Sequence, residues 1–204
     1  MPDSFPETTH AVENQAPPIG DHNAFLIDPV MREGLAREGG AWGEDLARDF
    51  GARVGSEEVA EWARKANSYV PVLHTHDRWG HRIDQVEFHD SYHSLMALAK
   101  EASVHSLPWR DPRPGAQVVR AVLHILFNEA EQGVSCPIAM TFAGVPALRH
   151  QPEVAEEWVP RLIAPAHDPR MMPSWEKTGC TIGMAMTEKQ GGSDVRANST
   201  RATP

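Results

Sequence analysis

"AQVVRAVLHILFNEAEQG", residues Ala116 to Gly133, carries apolar side chains at Val118, Val119, Val122, Leu123, Ile125, Leu126 and Phe127. They follow a helical repeat yet spread over most of the circumference, so this helix is expected in the middle of a bundle. Gly133 reads as its stop. A central helix needs others around it, and the flanking sequence supplies them. Asp28 is a plausible N-cap with Pro29 at the first helical position, and Val30, Met31 and Leu35 mark one face until Gly39 and Gly40. A shorter helix runs from about Glu44 to Gly51, with Leu46 and Phe50 four apart. Ser56 caps "EEVAEWARKA", where Val59, Trp62 and Ala66 share a face and Glu57 and Glu58 suit the N-terminal dipole. From Ser91 the positions Tyr92, Leu95, Met96 and Ala99 are again helical, with "LPW" and "RDPRPG" as stop and loop. Pro152 opens a further helix around "EVAEEWV", ended by Pro160. The fold class is mainly α.

Composition sets the bounds. The 204 residues suffice for one sizeable core, and so for one domain or one and part of another. The hydrophobic share of 41% and charged share of 23% are those of a soluble globular protein. No apolar run approaches the ~18 residues of a spanning helix, so no membrane partner is expected. "MPDSFPETTHAVENQAPPIGDHN" has acids and prolines where a secretory signal has a basic start and an apolar block, which predicts a cytoplasmic protein. The net charge of −9 argues against this segment wrapping nucleic acid, since duplex binding relies on lysines and arginines that neutralise phosphates. Cys136 and Cys180 fit neither a metal knuckle nor a disulfide framework and are expected as free, mostly buried thiols.

The ends of the chain differ from its middle. Residues 1–24, rich in Pro, Asn, Thr and acids, read as a flexible arm, disordered or laid across a neighbour. Order is expected from Asp28, and the helical domain spans 25–173. After Pro173, "TGCTIGMAMTEKQGGSDVRANSTRATP" loses the helical stripe and suits a strand, a loop and the opening of another strand, so 174–204 is expected to be the incomplete start of a β-domain. Its Gly-Gly-Ser loop is either an ordinary glycine-rich turn or one able to approach a phosphate or planar ring.

"GMAMTEKQGGSDVRANST" resembles the flavin-contacting signature of the acyl-CoA dehydrogenase family in its AidB branch. "APPIGDHNAF", "REGGAW", "LHTHDRWGHRIDQVEFH", "LPW", "SCPIAMTFAGVPAL" and "EEWVPRLI" resemble the helical region of that branch in the same order. The resemblance covers residue 16 to the end. It implies an N-terminal helical domain, a middle β-domain and a C-terminal four-helix domain, with FAD between the last two and a dimer or tetramer when complete. It assigns Met184, Ala185, Met186, Thr187, Glu188, Lys189, Gln190, Gly191, Gly192 and Ser193 to this chain's share of the flavin site. Thr187 would hydrogen-bond the polar edge of the isoalloxazine and Ser193 would lie near the pyrophosphate, with Gly191 and Gly192 allowing close backbone approach. The family removes an α proton from an acyl-CoA with a carboxylate base while flavin takes the β hydride. That base belongs to the C-terminal domain, so no catalytic residue is assigned here and no independent activity is expected. The branch is linked to the response to DNA alkylation, with DNA bound through a basic C-terminal region. Lys189 and Gln190 depart from the commoner dehydrogenase loop, as the AidB branch does, which leaves the substrate open. Two alternatives stand beside this: a non-catalytic FAD-containing DNA-protection protein, and an oligomerisation module without activity, prone to self-association.

Other residues invite chemistry and receive a structural expectation. His74, His76, Asp77, His81, Asp84, Glu87, His89, Asp90 and His93 are the densest set of metal-type ligands, but lacking a cysteine pair or an HExxH helix they read as a hydrogen-bonded cluster, at a subunit contact, with no metal assigned. Cys136 near His124 reads as a buried thiol, and Glu129 and Glu131 as solvated or Arg-paired acids. Met140, Phe142 and Met184 read as acyl-pocket or core residues.

Overall fold

Helix starts in this protein coincide with side chains that satisfy otherwise orphaned N–H groups. In the computed structural model, which describes residues 13–17 and 19–203, Asp28 accepts from the N–H of Val30 and Met31, both at 2.9 Å, and starts α1 (Pro29–Arg37). A 3-10 turn at Ala41–Gly43 leads into α2 (Glu44–Val54). Ser56 Oγ accepts from Val59 N and starts α3 (Glu57–Ser68). His89 Nδ1 accepts from Ser91 N at 3.1 Å and starts α4 (Asp90–Glu101). The short α5 (Leu107–Arg110), α6 (Ala116–Ala130), α7 (Gln132–Leu148) and α8 (Pro152–Leu162) follow.

α6 is the axis of the bundle. It packs against α1, α2, α3, α5 and α7, and buries Val119, Val122, Leu123, Leu126 and Phe127. Ile125, counted on sequence among its apolar positions, is 48% exposed, so one face of α6 meets solvent. Phe25, Leu35, Phe50, Val59, Leu95 and Ile138 complete the core from six other places in the chain.

Gly133 does not end α6. The break falls at Glu131, in extended backbone, and its carboxylate accepts from the N–H groups of Gly133 and Val134 to open α7. Glu131 also takes the Asn67 amide of α3 at 3.0 Å and is only 5% exposed, so it is neither solvated nor Arg-paired as expected. α7 tolerates Pro137 and Pro146 inside it. A proline removes the bond to the carbonyl four residues earlier. For Pro146 that carbonyl is Phe142 O, and the Trp109 indole N–H from α5 donates to it at 3.1 Å while its ring stacks on Phe142. Pro160 likewise does not end α8, which continues to Leu162.

Two strands, unforeseen on sequence, lie between α3 and α4. β1 (Val72–His76) pairs antiparallel with β2 (Arg82–Glu87), Leu73 opposite Val86 and His76 opposite Arg82, with an irregularity between His74 and His76. Asp77 Oδ1 closes the turn by accepting from Trp79 N and His81 N. Both faces of this hairpin are largely open, and Trp79 at its tip is 73% exposed.

Order also begins before Asp28. His22 N donates to Gly55 O and Ala24 N to Gly51 O, and Asp21 accepts from Glu57 N, so this stretch lies across the α2–α3 junction with Phe25 wholly buried. Residues 1–12 of the expected arm lie outside the described residues. Beyond α8 the chain is irregular, with 3-10 turns at Ser174–Glu176 and Val195–Ala197. The strands expected after Pro173 do not form among the described residues; only an isolated bridge joins Glu188 to Gly191. A strand needs a partner, and among the described residues no second extended segment lies alongside this stretch.

Candidate functional site

The segment leading to the glycine loop is fastened at alternate residues, first to its own irregular stretch and then to the helices. Asp168, buried, takes a two-pronged contact from Arg170 at 2.6 and 2.8 Å and accepts from Thr178 N at 3.1 Å. The Arg170 guanidinium, helped by those N–H donors, holds its carboxyl well below the usual range. Two residues on, Cys180 N donates to Arg161 O of α8, and Lys100 Nζ of α4 donates to Cys180 O, each at 3.0 Å. Two further on, Ile182 N donates to Thr141 Oγ1 of α7 at 3.3 Å. The Ile182 side chain lies so close to Gly144 that a Cβ there would stand 2.6 Å from its Cγ2, which only glycine avoids. The site segment leaves the helical body at this point.

From Gly183 the chain is exposed and holds itself. Glu188 O accepts from Gly191 N at 3.1 Å, making a tight turn over Lys189 and Gln190. Gly192 seats Thr187: a Cβ on it would lie 2.9 Å from Thr187 Cγ2. Gly191 has nothing within 4 Å of that position, so its outer side is open. Asn198 Nδ2 donates to Met186 O at 2.6 Å. Glu188 Oε1 accepts from Ser199 N at 2.9 Å and Thr200 N at 2.6 Å, and its second oxygen meets the Gln190 amide. The Thr200 side chain, then the backbone N–H groups of Thr200 and Ser199, hold the Glu188 carboxyl down to about 2. Glu188 is therefore an ionised brace, unsuited to act as a base near neutral pH.

A cavity of about 400 Å³ opens beside the turn, lined by Ala185 to Gln190 and by Asn198, Ser199 and Thr200. Six of the ten residues marked on sequence meet there; Met184, Gly191, Gly192 and Ser193 lie outside its wall. Asn198, Ser199 and Thr200 were not marked, although the polar run "ANST" was the available signal.

The remaining candidates disperse. Cys136 is exposed, contrary to expectation, because the buried side of α7 runs through Val134, Ile138, Thr141 and Val145 and leaves 136 off it. His124 Nε2 pairs with Ser135 Oγ at 2.8 Å and not with that thiol. Cys180 is buried. Phe142 is part of the helical body, whereas Met184 is exposed on the loop. Among the histidines, His74 bonds Glu87 at 2.7 Å, His81 bonds Asp77 at 3.0 Å, His89 caps α4 and His93 bonds His167 at 3.0 Å. No three metal-type ligands converge among the described residues, and among these no helix is long and apolar enough to cross a membrane.

Residues 14–169 match the family of the adaptive response protein AidB N-terminal domain. The chain belongs to that family. It is 41% identical over 196 residues, 95% of its length, to AidB of Escherichia coli (strain K12). It is 33% identical over 186 residues, 85% of its length, to acyl-CoA dehydrogenase family member 11 of Caenorhabditis elegans. Among solved structures it is similar to Bd2924 in its apo form, with a TM-score of 0.73 and 27% identity over 91% of the chain. It is similar too to Caenorhabditis elegans ACDH-11 in complex with C11-CoA, with a TM-score of 0.71 and 27% identity over 98% of the chain. The chain covers 36% and 28% of the two sequence relatives and 37% and 34% of the two structures, about a third of their length. This AidB-family chain thus has the helical N-terminal domain of the acyl-CoA dehydrogenase fold.

Proposed function

We propose that this chain is the N-terminal portion of an FAD-dependent acyl-CoA dehydrogenase-like flavoprotein of the DNA alkylation response type, an oxidoreductase acting on CH–CH groups of acyl thioesters. Residues 184–193 supply one wall of its flavin site. The observation that carries this is the self-braced loop: Glu188 spends its carboxylate on Ser199 and Thr200, Gly192 seats Thr187, and the side of Gly191 stays open. The donor set fits a flavin, since the Thr187 and Ser193 hydroxyls are groups a ring edge and a pyrophosphate require, and the bare side of Gly191 lets the backbone approach closely. When bound, FAD supplies the hydride-accepting chemistry, and these residues hold and orient it. Met184 and Met186, both exposed, offer apolar surface beside the same loop.

The ACDH-11 complex with C11-CoA supports an acyl thioester as the substrate class. The family's adaptive-response name supports the alkylation setting, and a net charge of −9 favours a DNA contact through a region other than these residues. Joined in frame to the remainder of AidB, the chain should purify with a flavin absorption band. Thr187→Ala with Ser193→Ala should cost about 2 kcal/mol of cofactor binding, a roughly thirtyfold loss of affinity. Unchanged flavin retention in the double variant overturns the assignment. Bleaching of the band by an acyl-CoA separates a dehydrogenase from a flavoprotein that protects DNA without turnover.

A further inference from the structure

A second cavity, of about 460 Å³, lies between the end of β2, the outer face of α4 and the segment 167–181. That volume is within the range of small-molecule sites. Its walls divide by chemistry. Phe88, Tyr92 and Met96 form an apolar side, with Phe88 and Tyr92 stacked at 4.2 Å between ring centres. Lys100, one turn beyond Met96 on the same stripe of α4, and Lys177 from the irregular segment add a cationic end, with His93 and His167 among the lining residues.

The charges there do not cancel. The acids that line the cavity are already committed, Glu87 to His74 at 2.7 Å and Asp168 to Arg170 at 2.6 Å. Neither lysine has a carboxylate partner among the described residues, and Lys100, 1% exposed, is held by a single carbonyl contact although an ammonium has three donors. Burial foremost, with the Lys177 charge in addition, pulls Lys100 down to about 8, so the two cations sense each other across the site. Burial, then His93, Lys100 and Lys177, pull His167 down to about 4, so its imidazole is neutral near pH 7, and burial lowers His93 as well. Their mutual bond uses His93 Nδ1 and His167 Nε2, leaving the other nitrogen of each ring without a protein partner among the described residues.

We propose that this cavity is a second binding site, separate from the flavin loop, for a small organic anion. Its oxyanion head sits against Lys177 with Lys100 beneath, and its apolar body lies along Phe88, Tyr92 and Met96. Two unpaired cations in a half-enclosed site favour an anion, and the stacked rings select one that carries a hydrocarbon part.

The test is a calorimetric titration of the 204-residue chain with octanoate, octanamide and inorganic phosphate. Octanoate should bind saturably, and the uncharged octanamide and the body-less phosphate should each bind at least about tenfold more weakly. Lys177→Met should weaken octanoate by a similar factor and leave octanamide unchanged, while Lys177→Arg should retain octanoate. Lys177 is half-buried in an irregular segment; Lys177→Gln replaces the methionine variant if the latter's circular dichroism spectrum departs from the parent's. The proposal is overturned by absent saturation, by equal binding of octanoate and octanamide, by phosphate binding as tightly as octanoate, or by indifference of octanoate to the loss of the Lys177 charge.

Discussion

Glu131 shows how much a single side chain decides. It ends α6, starts α7 and reaches across to Asn67 on α3, all from a buried position. Glu131→Ala leaves two N–H groups and an amide without their acceptor, and should destabilise the fold by about 2 kcal/mol, lowering the melting temperature by roughly 4–8 °C. Glu129→Ala, two residues away and exposed, should stay within about 0.5 kcal/mol. Equal melting temperatures for the two variants would remove Glu131 from this role. On sequence the two acids look alike, and Gly133 supplies a competing stop signal, so the cap was not legible. Asp28 and Ser56 were legible because each is a favoured capping residue directly ahead of a periodic apolar face. In the loop, Thr187 and the glycines stood out by residue type. The bracing of Glu188 by Ser199 and Thr200 did not, because it joins groups eleven and twelve residues apart.

Among the elements, amphipathic helices were legible and the others were not. α7 escapes the helical repeat because it is apolar on several sides and holds two prolines, and its stability rests on neighbours such as Trp109. The hairpin escapes because neither face is buried: its residues are almost all exposed, and no alternation of apolar and polar residues is required. Stacking of Tyr69 on His89 and of Phe88 on Tyr92 ties its base to α4, while its tip has no such support. A lone two-stranded ribbon is marginal in water. Backbone amides paired between β1 and β2 should therefore exchange with deuterium at least about a hundredfold faster than the buried amides of α6. Equal protection of both elements would show that the hairpin belongs to the cooperative core.

For the whole molecule, acidity is the sharpest lever. Burial pulls His105 down to about 3 and His167 down to about 4, and lowers His93 and His124 as well. Each of these histidines takes up its proton at lower pH in the folded state than in the unfolded chain, which protonates them near pH ~6.5. Below that value the unfolded state binds more protons, so stability declines as pH falls from ~6.5 towards 3 and is level above ~7. Asp168, depressed by Arg170, adds its own loss below ~4 as it protonates. Urea midpoints followed by tryptophan emission should fall steadily between pH 7 and 4, and a flat profile down to pH 5 contradicts the account. At this scale the family was legible from the order of its motifs, whereas the strands expected after Pro173 are absent among the described residues, where no second extended segment lies alongside to pair with them. The fastening of residues 178, 180 and 182 has an arithmetic consequence. The amides of Thr178, Cys180 and Ile182 each have an acceptor, so a slide of one residue exchanges these bonded groups for their neighbours, and any slide takes Ile182 away from Gly144. The glycine turn therefore starts at a place fixed by three anchors, and a drift of one residue would unfasten all of them together.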